Sequence, residues 1–492
     1  VLAVAITALP SFAADRERWY MLLLDGQHAG WMHETTDTAD RLITTTGTMH
    51  LRLKRGATEL LVEMGTEFQE TPEGEPVLMR SRTVTGATPM MFEYRFGDDA
   101  VEVVTSNVEG REVITTQPLP DGVWLTPMAA DRYVRERLAA GATEITVRTM
   151  DPTTGLSPIT VTYRDIRPAM AEYQGRSIKG FSCLSETSAS PGFVTEQLMA
   201  EDGALIRSTT GFGPMTIVLL AAEKDVALAK AEAPEMMIRT FVKPDRPIRQ
   251  PREVRSATYV LEVPADAAID VPTVGAQQAR VLEPGKIEVV VDLDDLQSVA
   301  EFVDRDRLLA PTAMLRCDDE AVASIATKAV GRVKDGDDAA RAEALRRAVY
   351  RHIRKKNLGV GFASASEVAR TREGDCSEHA VLLAALLRAE GIPSQVAAGV
   401  VYADEFEGEK GIFGYHMWTQ ALLNIDGRDV WVDLDATFPN NVPFDATHIV
   451  LGTSALGDDE PIGALASMAP LLGRLGIVVK NVEHQAHAES TR

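Results

Sequence analysis

The stretch Gly374-Asp-Cys-Ser-Glu-His-Ala-Val-Leu-Leu-Ala-Ala-Leu-Leu-Arg-Ala-Glu-Gly-Ile-Pro393 carries the clearest fold signal in the chain. Its apolar run predicts a buried helix that ends before Gly391, because glycine commonly follows the last helical residue. Cys376 then lies at the helix N-terminus, where unpaired backbone N–H groups and the helix dipole favour a thiolate. The neighbouring carboxylate of Asp375 opposes a second negative charge unless it caps the helix. A cysteine nucleophile at this place therefore needs a strong general base.

A predicted β-hairpin downstream offers that base. Residues 416–424 and 429–435 have the composition and alternation of two strands, and Asp426-Gly427 is a typical two-residue turn between them. With this turn, Gln420 lies opposite Asp433 and one face of the hairpin carries polar side chains. A longer loop would change the register, so the assignment depends on the turn.

The register distinguishes two aspartates as partners for His416. Asp435 is its diagonal neighbour on the same face, at roughly 5–8 Å between Cβ atoms, whereas Asp433 lies one pair further along. We therefore expect Asp435 to orient His416, and His416 to take a proton from Cys376. A nucleophile, a base and an orienting carboxylate in this order are typical of acyl-transfer sites.

Three motifs carry a family resemblance: the Gly-x-Cys helix ending in Leu-Leu-Arg-Ala-x-Gly-Ile-Pro, His-x-Trp on a strand, and Trp-Val-x-Leu-Asp-x-Thr. Over roughly residues 310–448 the chain resembles the transglutaminase-like superfamily of papain-fold cysteine enzymes. The resemblance implies Cys376 as nucleophile, His416 as base and Asp435 as orienting residue. It also implies a catalytic core in which a helix-borne cysteine packs on an antiparallel sheet that carries the histidine and the aspartate.

The chain departs from the usual family pattern at two places, neither of which removes a catalytic group. Ala436 stands where the family usually has proline, and Ser377-Glu378-His379 replaces a more common Arg-Asp pattern. His379 lies three residues after Cys376 on the same helix face. We interpret it as structural or supporting, because no carboxylate is spaced to orient it. The backbone N–H of Cys376 is the one oxyanion donor that the sequence identifies.

Composition narrows the remaining function classes. The 492 residues have a net charge of −22, which disfavours nucleic acid and anionic lipid as partners. Three cysteines exclude a disulfide-dense scaffold, and Cys183 and Cys317 are left either paired or free. We expect no cofactor and no metal: Asp335-Gly-Asp-Asp338 lacks the ligand pattern of a calcium loop, and His484 with His487 lacks a third ligand.

The predicted fold class is α+β, with a strand-rich N-terminal part before the papain-like core. One helix interrupts the strands of that part, with Thr126 as N-cap and Gly141 after its end. No apolar run after the N-terminus reaches the length of a membrane span. The predicted segments are a signal peptide at 1–14, a β-rich domain with one helix at 15–240, a small β-rich linker domain at 244–311, the catalytic domain at 312–450 and a C-terminal extension at 451–492.

These observations predict an exported cysteine enzyme, secreted or periplasmic, without an integral membrane span. It would act through a thioester on a protein or peptide substrate or a carboxamide, cell-envelope proteins included, as an amidase, a peptidase or a transglutaminase. The alternative is a binding or scaffold protein with a silent triad, whose β-rich N-terminal half carries the function. The reactivity of Cys376 toward iodoacetamide distinguishes the two.

Overall fold

The computed structural model describes residues 16–85, 89–106, 112–173, 175–190, 192–213, 215–264, 269–299, 303–331, 333–334, 336–458 and 468–484. The expected signal peptide at 1–14 lies outside these residues. The chain divides into two compact units, residues 1–236 with 458–461 and residues 237–457 with 462–492. Among the helices described, none is long and apolar enough to cross a membrane.

The first unit is one antiparallel sheet of fourteen strands in the order β8-β7-β6-β5-β4-β3-β2-β1-β14-β13-β12-β11-β10-β9. Its strands alternate buried and partly exposed side chains over much of their length, as expected for a sheet with one face on a core. The strands are β1 Arg16–Leu24, β2 Gln27–Ala39, β3 Leu42–Arg55, β4 Thr58–Glu70, β5 Pro76–Val84, β6 Met90–Phe96, β7 Ala100–Ser106, β8 Glu112–Pro118, β9 Ile145–Thr149, β10 Ile159–Tyr173, β11 Arg176–Thr187, β12 Thr195–Ala200, β13 Leu205–Phe212 and β14 Met215–Ala222.

The helix predicted between Thr126 and Gly141 is confirmed as α1 (Pro127–Ala139). Proline occupies its first position and Gly141 follows its end with a φ of +80°. Thr126 does not cap the helix with its side chain; its hydroxyl donates to Glu70 at 2.6 Å. Glu70 also accepts the backbone N–H of Met128 at 3.0 Å, so a carboxylate from β4 satisfies the helix N-terminus instead. A short helix, α2 (Lys224–Ala227), follows the last strand.

The second unit combines two four-stranded antiparallel sheets with five helices among its described residues, which confirms the α+β class. One sheet has the order β16-β17-β15-β22 and the other β20-β19-β18-β21. The elements are β15 Val254–Glu262, β16 Gln277–Glu283, β17 Lys286–Asp292, α3 Arg305–Leu309, α4 Glu320–Val330, α5 Asp338–His352, α6 Ala365–Thr371, α7 Cys376–Ala389, β18 Ser394–Phe406, β19 Glu409–Ile425, β20 Arg428–Leu434, β21 His448–Ser454 and β22 Gly476–His484.

The segments expected at 244–311 and 312–450 fall in this second unit, as does the segment expected at 451–492 apart from residues 458–461. The reason is strand pairing: β22, from the C-terminal extension, pairs antiparallel with β15, from the linker segment. The sequence gives no signal for this pairing, because the two strands lie far apart in the chain.

One buried side chain, Gln277, joins the two sheets of the second unit. Its amide nitrogen donates to the carbonyl oxygens of Pro272 (2.8 Å) and Val450 (2.9 Å), and its amide oxygen accepts the N–H of Val450 at 2.8 Å. Gln277 therefore satisfies both backbone polar groups of Val450 on β21, as a neighbouring strand would.

Replacing Gln277 with alanine is expected to lower the free energy of unfolding by about 2–4 kcal/mol, because it leaves the buried polar groups of Val450 without partners. Denaturant titration of the full chain measures this change. Gln278→Ala is the matched control: Gln278 is exposed and contacts Asp295 at 3.3 Å, so its loss should change the unfolding free energy by less than about 0.5 kcal/mol. Equal effects of the two substitutions would contradict this role for Gln277.

Candidate active site

Helix α7 begins at Cys376, as the sequence predicts, and a capping box fixes its start. Asp375 is the N-cap; its Oδ1 accepts the N–H of Ser377 at 3.0 Å, and Glu378 Oε2 accepts the N–H of Asp375 at 2.9 Å. Gly374 has a φ of +150°, and a Cβ there would lie 2.3 Å from the Cβ of Glu378. The glycine of the Gly-x-Cys motif is therefore required by the tight entry into the helix.

The start of α7 carries less negative charge than its two acidic residues, Asp375 and Glu378, suggest. Glu378 is fully buried, and burial together with the nearby charge of Asp375 holds its pKa well above the usual range. A protonated Glu378 leaves fewer negative charges beside Cys376, and the side chain of Asp375 caps the helix. Cys376 is partly exposed, so solvent reaches the residue that the helix dipole favours as a thiolate.

Helix α7 runs parallel to strand β19, as two hydrogen bonds show. The hydroxyl of Thr419 donates to the carbonyl of Ala380 at 2.9 Å. The hydroxyl of Ser394, whose residue pairs with Ala421, donates to the carbonyl of Ala384 at 2.9 Å. Four helical residues, about 6 Å, therefore match two strand residues, about 6.6 Å. By the same spacing, Cys376, four residues before Ala380, is expected level with Met417, the residue after His416.

The predicted hairpin register is confirmed. Leu422 pairs with Trp431 and Gln420 with Asp433. The turn residues Asp426 and Gly427 have φ values of +51° and +78°, as a two-residue turn of type I′ requires. Regular pairing ends at Leu434, so Asp435 follows directly after the last paired residue of β20.

His416 and Asp435 are hydrogen-bonded, with 2.7 Å between His416 Nε2 and Asp435 Oδ2. Their side chains are 8% and 3% exposed. The N–H of Thr437 donates to Asp435 Oδ1 at 2.7 Å and fixes the carboxylate from the other side. Because the acceptor is a carboxylate, Nε2 carries the proton, and Nδ1 is the nitrogen that is left to act as a base.

The pKa of Asp435 lies well below its usual range. Burial by itself would raise it, but the charges and hydrogen bonds of His416 and His448 outweigh that effect. Asp435 is therefore ionised wherever the protein is folded near neutral pH, as an orienting carboxylate has to be.

Asp433 has a different set of partners. Its Oδ1 accepts Trp418 Nε1 and Gln420 Nε2, each at 2.8 Å. Burial raises the pKa of Asp433 above its usual value. The structure thus joins His416 to Asp435, and uses Asp433 to hold Trp418, whose ring stacks on His416 with 6.0 Å between centroids.

His448 is the site residue that the sequence analysis missed. Its Nε2 lies 3.2 Å from Asp435 Oδ2 and its Nδ1 lies 3.0 Å from the carbonyl oxygen of Asp445. The segment Asp445-Ala-Thr-His448 has a local signal, since Asp445 caps the turn by accepting the N–H of Thr447 at 2.9 Å. The pairing of β21 with β18 brings this segment to the hairpin, and no local pattern indicates that pairing.

His416, Asp435 and His448 are also the one group of three potential metal ligands among the described residues, with ligand atoms within 4.8 Å of one another. The two histidine nitrogens lie at hydrogen-bond distances from the same carboxylate oxygen. We therefore regard the group as a hydrogen-bonded cluster.

His379, the histidine that follows Cys376 in α7, lies outside this cluster. It is buried, its Nδ1 lies 2.5 Å from the carbonyl oxygen of Asp375, and burial lowers its pKa to about 4.

The remaining cysteines differ from Cys376. Cys183 and Cys317 are both free thiols. Burial raises the pKa of the Cys183 thiol to about 12, and burial also raises that of Cys317. Neither is the first residue of a helix.

Comparison with known proteins assigns the class of this region. Residues 325–436 match the family model of the transglutaminase-like superfamily, and this part of the chain belongs to that superfamily. No curated protein sequence matches the chain.

Three solved structures are similar to parts of the chain. A β-barrel-like protein of domain of unknown function DUF1849 from Brucella abortus is 12% identical (TM-score 0.33; 42% of this chain, 96% of that one). A proposed cysteine protease from Cytophaga hutchinsonii is 16% identical (TM-score 0.27; 47% and 85%). The periplasmic domain of TgpA from Pseudomonas aeruginosa, bound to ethylmercury, is 15% identical (TM-score 0.26; 40% and 88%). Identities and TM-scores this low leave the reaction of this chain to be inferred from its own residues.

Proposed function

We propose that this protein is a cysteine acyl-transfer enzyme that uses Cys376, His416 and Asp435 on a peptide or carboxamide substrate. The observation that carries the proposal is the 2.7 Å hydrogen bond between His416 and Asp435. His416 lies on a strand that runs beside the helix beginning at Cys376. Membership of residues 325–436 in the transglutaminase-like superfamily supports the same roles.

In the acylation half of the reaction, Nδ1 of His416 takes the proton of Cys376, and Sγ attacks the substrate carbonyl carbon. A C–S bond forms and the carbonyl oxygen becomes an oxyanion. Backbone N–H groups at the start of α7, that of Cys376 first, are the donors for this oxyanion. The C–N bond then breaks, and ammonia or an amine leaves with the proton from His416.

In the second half, an acceptor attacks the thioester. Water gives up a proton to His416, its oxygen bonds to the acyl carbon, and the C–S bond breaks to release a carboxylic acid and Cys376. An amine acceptor follows the same path and gives a new amide. We propose hydrolysis as the principal outcome, because Cys376 is partly exposed and water is in large excess over any amine acceptor. We also propose that the protein acts outside the cytoplasm, on the strength of the apolar segment at 1–14.

Iodoacetamide alkylation of the full chain tests the proposal without a known substrate. We expect Cys376 to be modified at pH 6–7 at least about tenfold faster than Cys183, because a thiolate paired with an imidazolium reacts where a buried thiol does not. Peptide mass spectrometry measures the three cysteines separately. His416→Gln is the informative variant, since it should slow the modification of Cys376 while leaving that of Cys183 unchanged. If Cys376 reacts no faster than Cys183, the protein is better explained as a binding or scaffold protein with a silent triad.

A further inference from the structure

The second histidine at Asp435 has more than a packing role. His448 is completely buried, and its ring is stacked on Phe444 with 4.2 Å between centroids. Each of its ring nitrogens faces an oxygen that only accepts hydrogen bonds: Nε2 faces the carboxylate of Asp435 and Nδ1 faces the backbone carbonyl of Asp445. A neutral imidazole has one N–H and would leave one of these contacts unmade. The geometry therefore requires an imidazolium.

The surroundings of His448 supply the counter-charges for that imidazolium. Asp445 Oδ1 lies 3.6 Å from Nδ1, and Asp445 itself is paired with Arg252 at 2.8 Å. Asp433 also acts on the ring electrostatically. Burial opposes a charge on His448, but Asp445 and Asp435 raise its pKa to about 9. Arg252, Asp445, His448, Asp435 and His416 thus form a chain of buried or half-buried groups that ends at the candidate base.

The consequence for His416 follows from the shared acceptor. Asp435 Oδ2 receives His416 Nε2 at 2.7 Å and His448 Nε2 at 3.2 Å, and the two imidazole centroids are 5.8 Å apart. A fixed positive charge on His448 keeps Asp435 ionised and immobile. The same charge partly neutralises Asp435 and repels a proton on His416. Lys356 and His379 also interact electrostatically with Asp435. His448 is distinct from them because it contacts the carboxylate directly.

We infer that His448 is a positioning residue, an imidazolium that stays charged through neutral pH, shares Asp435 with His416 and thereby sets the pH range in which His416 works as a base. The inference rests on the proposed function, since it assigns to His448 the tuning of the proposed base. It predicts the charge states of His416 and His448, and these can be measured without any substrate.

The test uses the full chain with Cys376→Ala, so that no thiolate perturbs His416, and with 15N-labelled histidine. Ring resonances of the nine histidines are followed by NMR from pH 5 to 9, and those of His416 and His448 are assigned with Gln variants of each. We expect His448 to remain doubly protonated through pH 8. Adding His448→Gln removes the charge but keeps a donor for Asp435, and should raise the titration midpoint of His416 by about one pH unit.

His352→Gln is the matched control, because His352 is a half-buried histidine bonded to the carbonyl of Ala369 and lies outside the cluster. It should leave the midpoint of His416 unchanged. Asp445→Asn is a second route if His448→Gln does not fold, since it removes a counter-charge of His448 and should lower the pH at which the His448 ring loses its second proton.

The outcomes separate the two proposals. If His448 titrates below pH 7, or if the midpoint of His416 is the same with and without the charge on His448, the inference is wrong even where Cys376 alkylates rapidly. If Cys376 fails the alkylation test while His448 stays charged and shifts His416, the electrostatic coupling stands and the proposed function fails. A purely structural His448 would change the melting temperature in the variant without moving the titration of His416.

Discussion

Replacing Cys376 with alanine is expected to lower kcat for amide hydrolysis or amine transfer by at least about 10⁴-fold, because the covalent path through a thioester disappears with the thiol. The fold should survive the change. Cys376 is small and partly exposed at the first position of a helix, where alanine is well tolerated, and the capping contacts of Asp375 and Glu378 do not involve its side chain. Amine release from a peptide or carboxamide substrate measures the activity, and thermal unfolding measures the fold.

Cys317→Ala is the matched control for this substitution. Cys317 is also a free, partly exposed thiol, but burial raises its pKa, and its Sγ contacts the carbonyl oxygen of Leu309 at 3.8 Å. Its removal should leave kcat within about twofold of the unsubstituted protein. Wild-type turnover by the Cys376→Ala protein would refute the cysteine mechanism outright.

Replacing Asp435 with asparagine should lower kcat by about 10²–10⁴-fold, with a smaller change in KM. The carboxylate accepts Nε2–H of His416 and stabilises the imidazolium that forms during proton transfer. An asparagine side chain has one oxygen for three donors, those of His416, His448 and Thr437, so at least one donor loses its partner. Loss of the charge also removes the electrostatic support of the imidazolium form of His416.

Asp433→Asn is the control that separates orientation from packing. Asp433 holds Trp418 and Gln420 through Oδ1, and an asparagine oxygen can still accept both donors. We expect kcat to change by less than about tenfold. A large loss at Asp433 with little effect at Asp435 would mean that the orienting role belongs to Asp433. Equal large losses would mean that the two carboxylates act as one coupled network.

The parts of the site that follow from local sequence were predictable. Capping residues and an apolar run define α7, and the Asp426-Gly427 turn fixes the hairpin register by backbone geometry alone. Since side chains alternate along a strand, that register by itself selects Asp435 over Asp433 as the partner of His416. The hydrogen bond between His416 and Asp435 follows from the same local rule.

The parts that depend on distant pairing were not predictable. His448 lies beside Asp435 because β21 pairs with β18, and neither strand has a sequence pattern that identifies the other as its partner. The capping of α1 by Glu70 has the same cause, since the carboxylate comes from a strand 56 residues before Thr126. Local patterns limit which residues form each element, whereas these contacts depend on the packing of whole elements.

The pairing of β22 with β15 has a consequence for the order in which the protein assembles. The two strands are separated by roughly 220 residues of chain, and contacts between such distant segments form late in folding. Strand β15 also holds the segment before His448: Val254 accepts the N–H of Ala446 at 2.9 Å, and Tyr259 donates to the carbonyl of Ala446 at 3.0 Å. We therefore expect a nascent chain, or one truncated before Gly476, to leave β15 half-paired and the cluster of His416, Asp435 and His448 unfinished, so that the proposed activity would arise only after synthesis has passed β22.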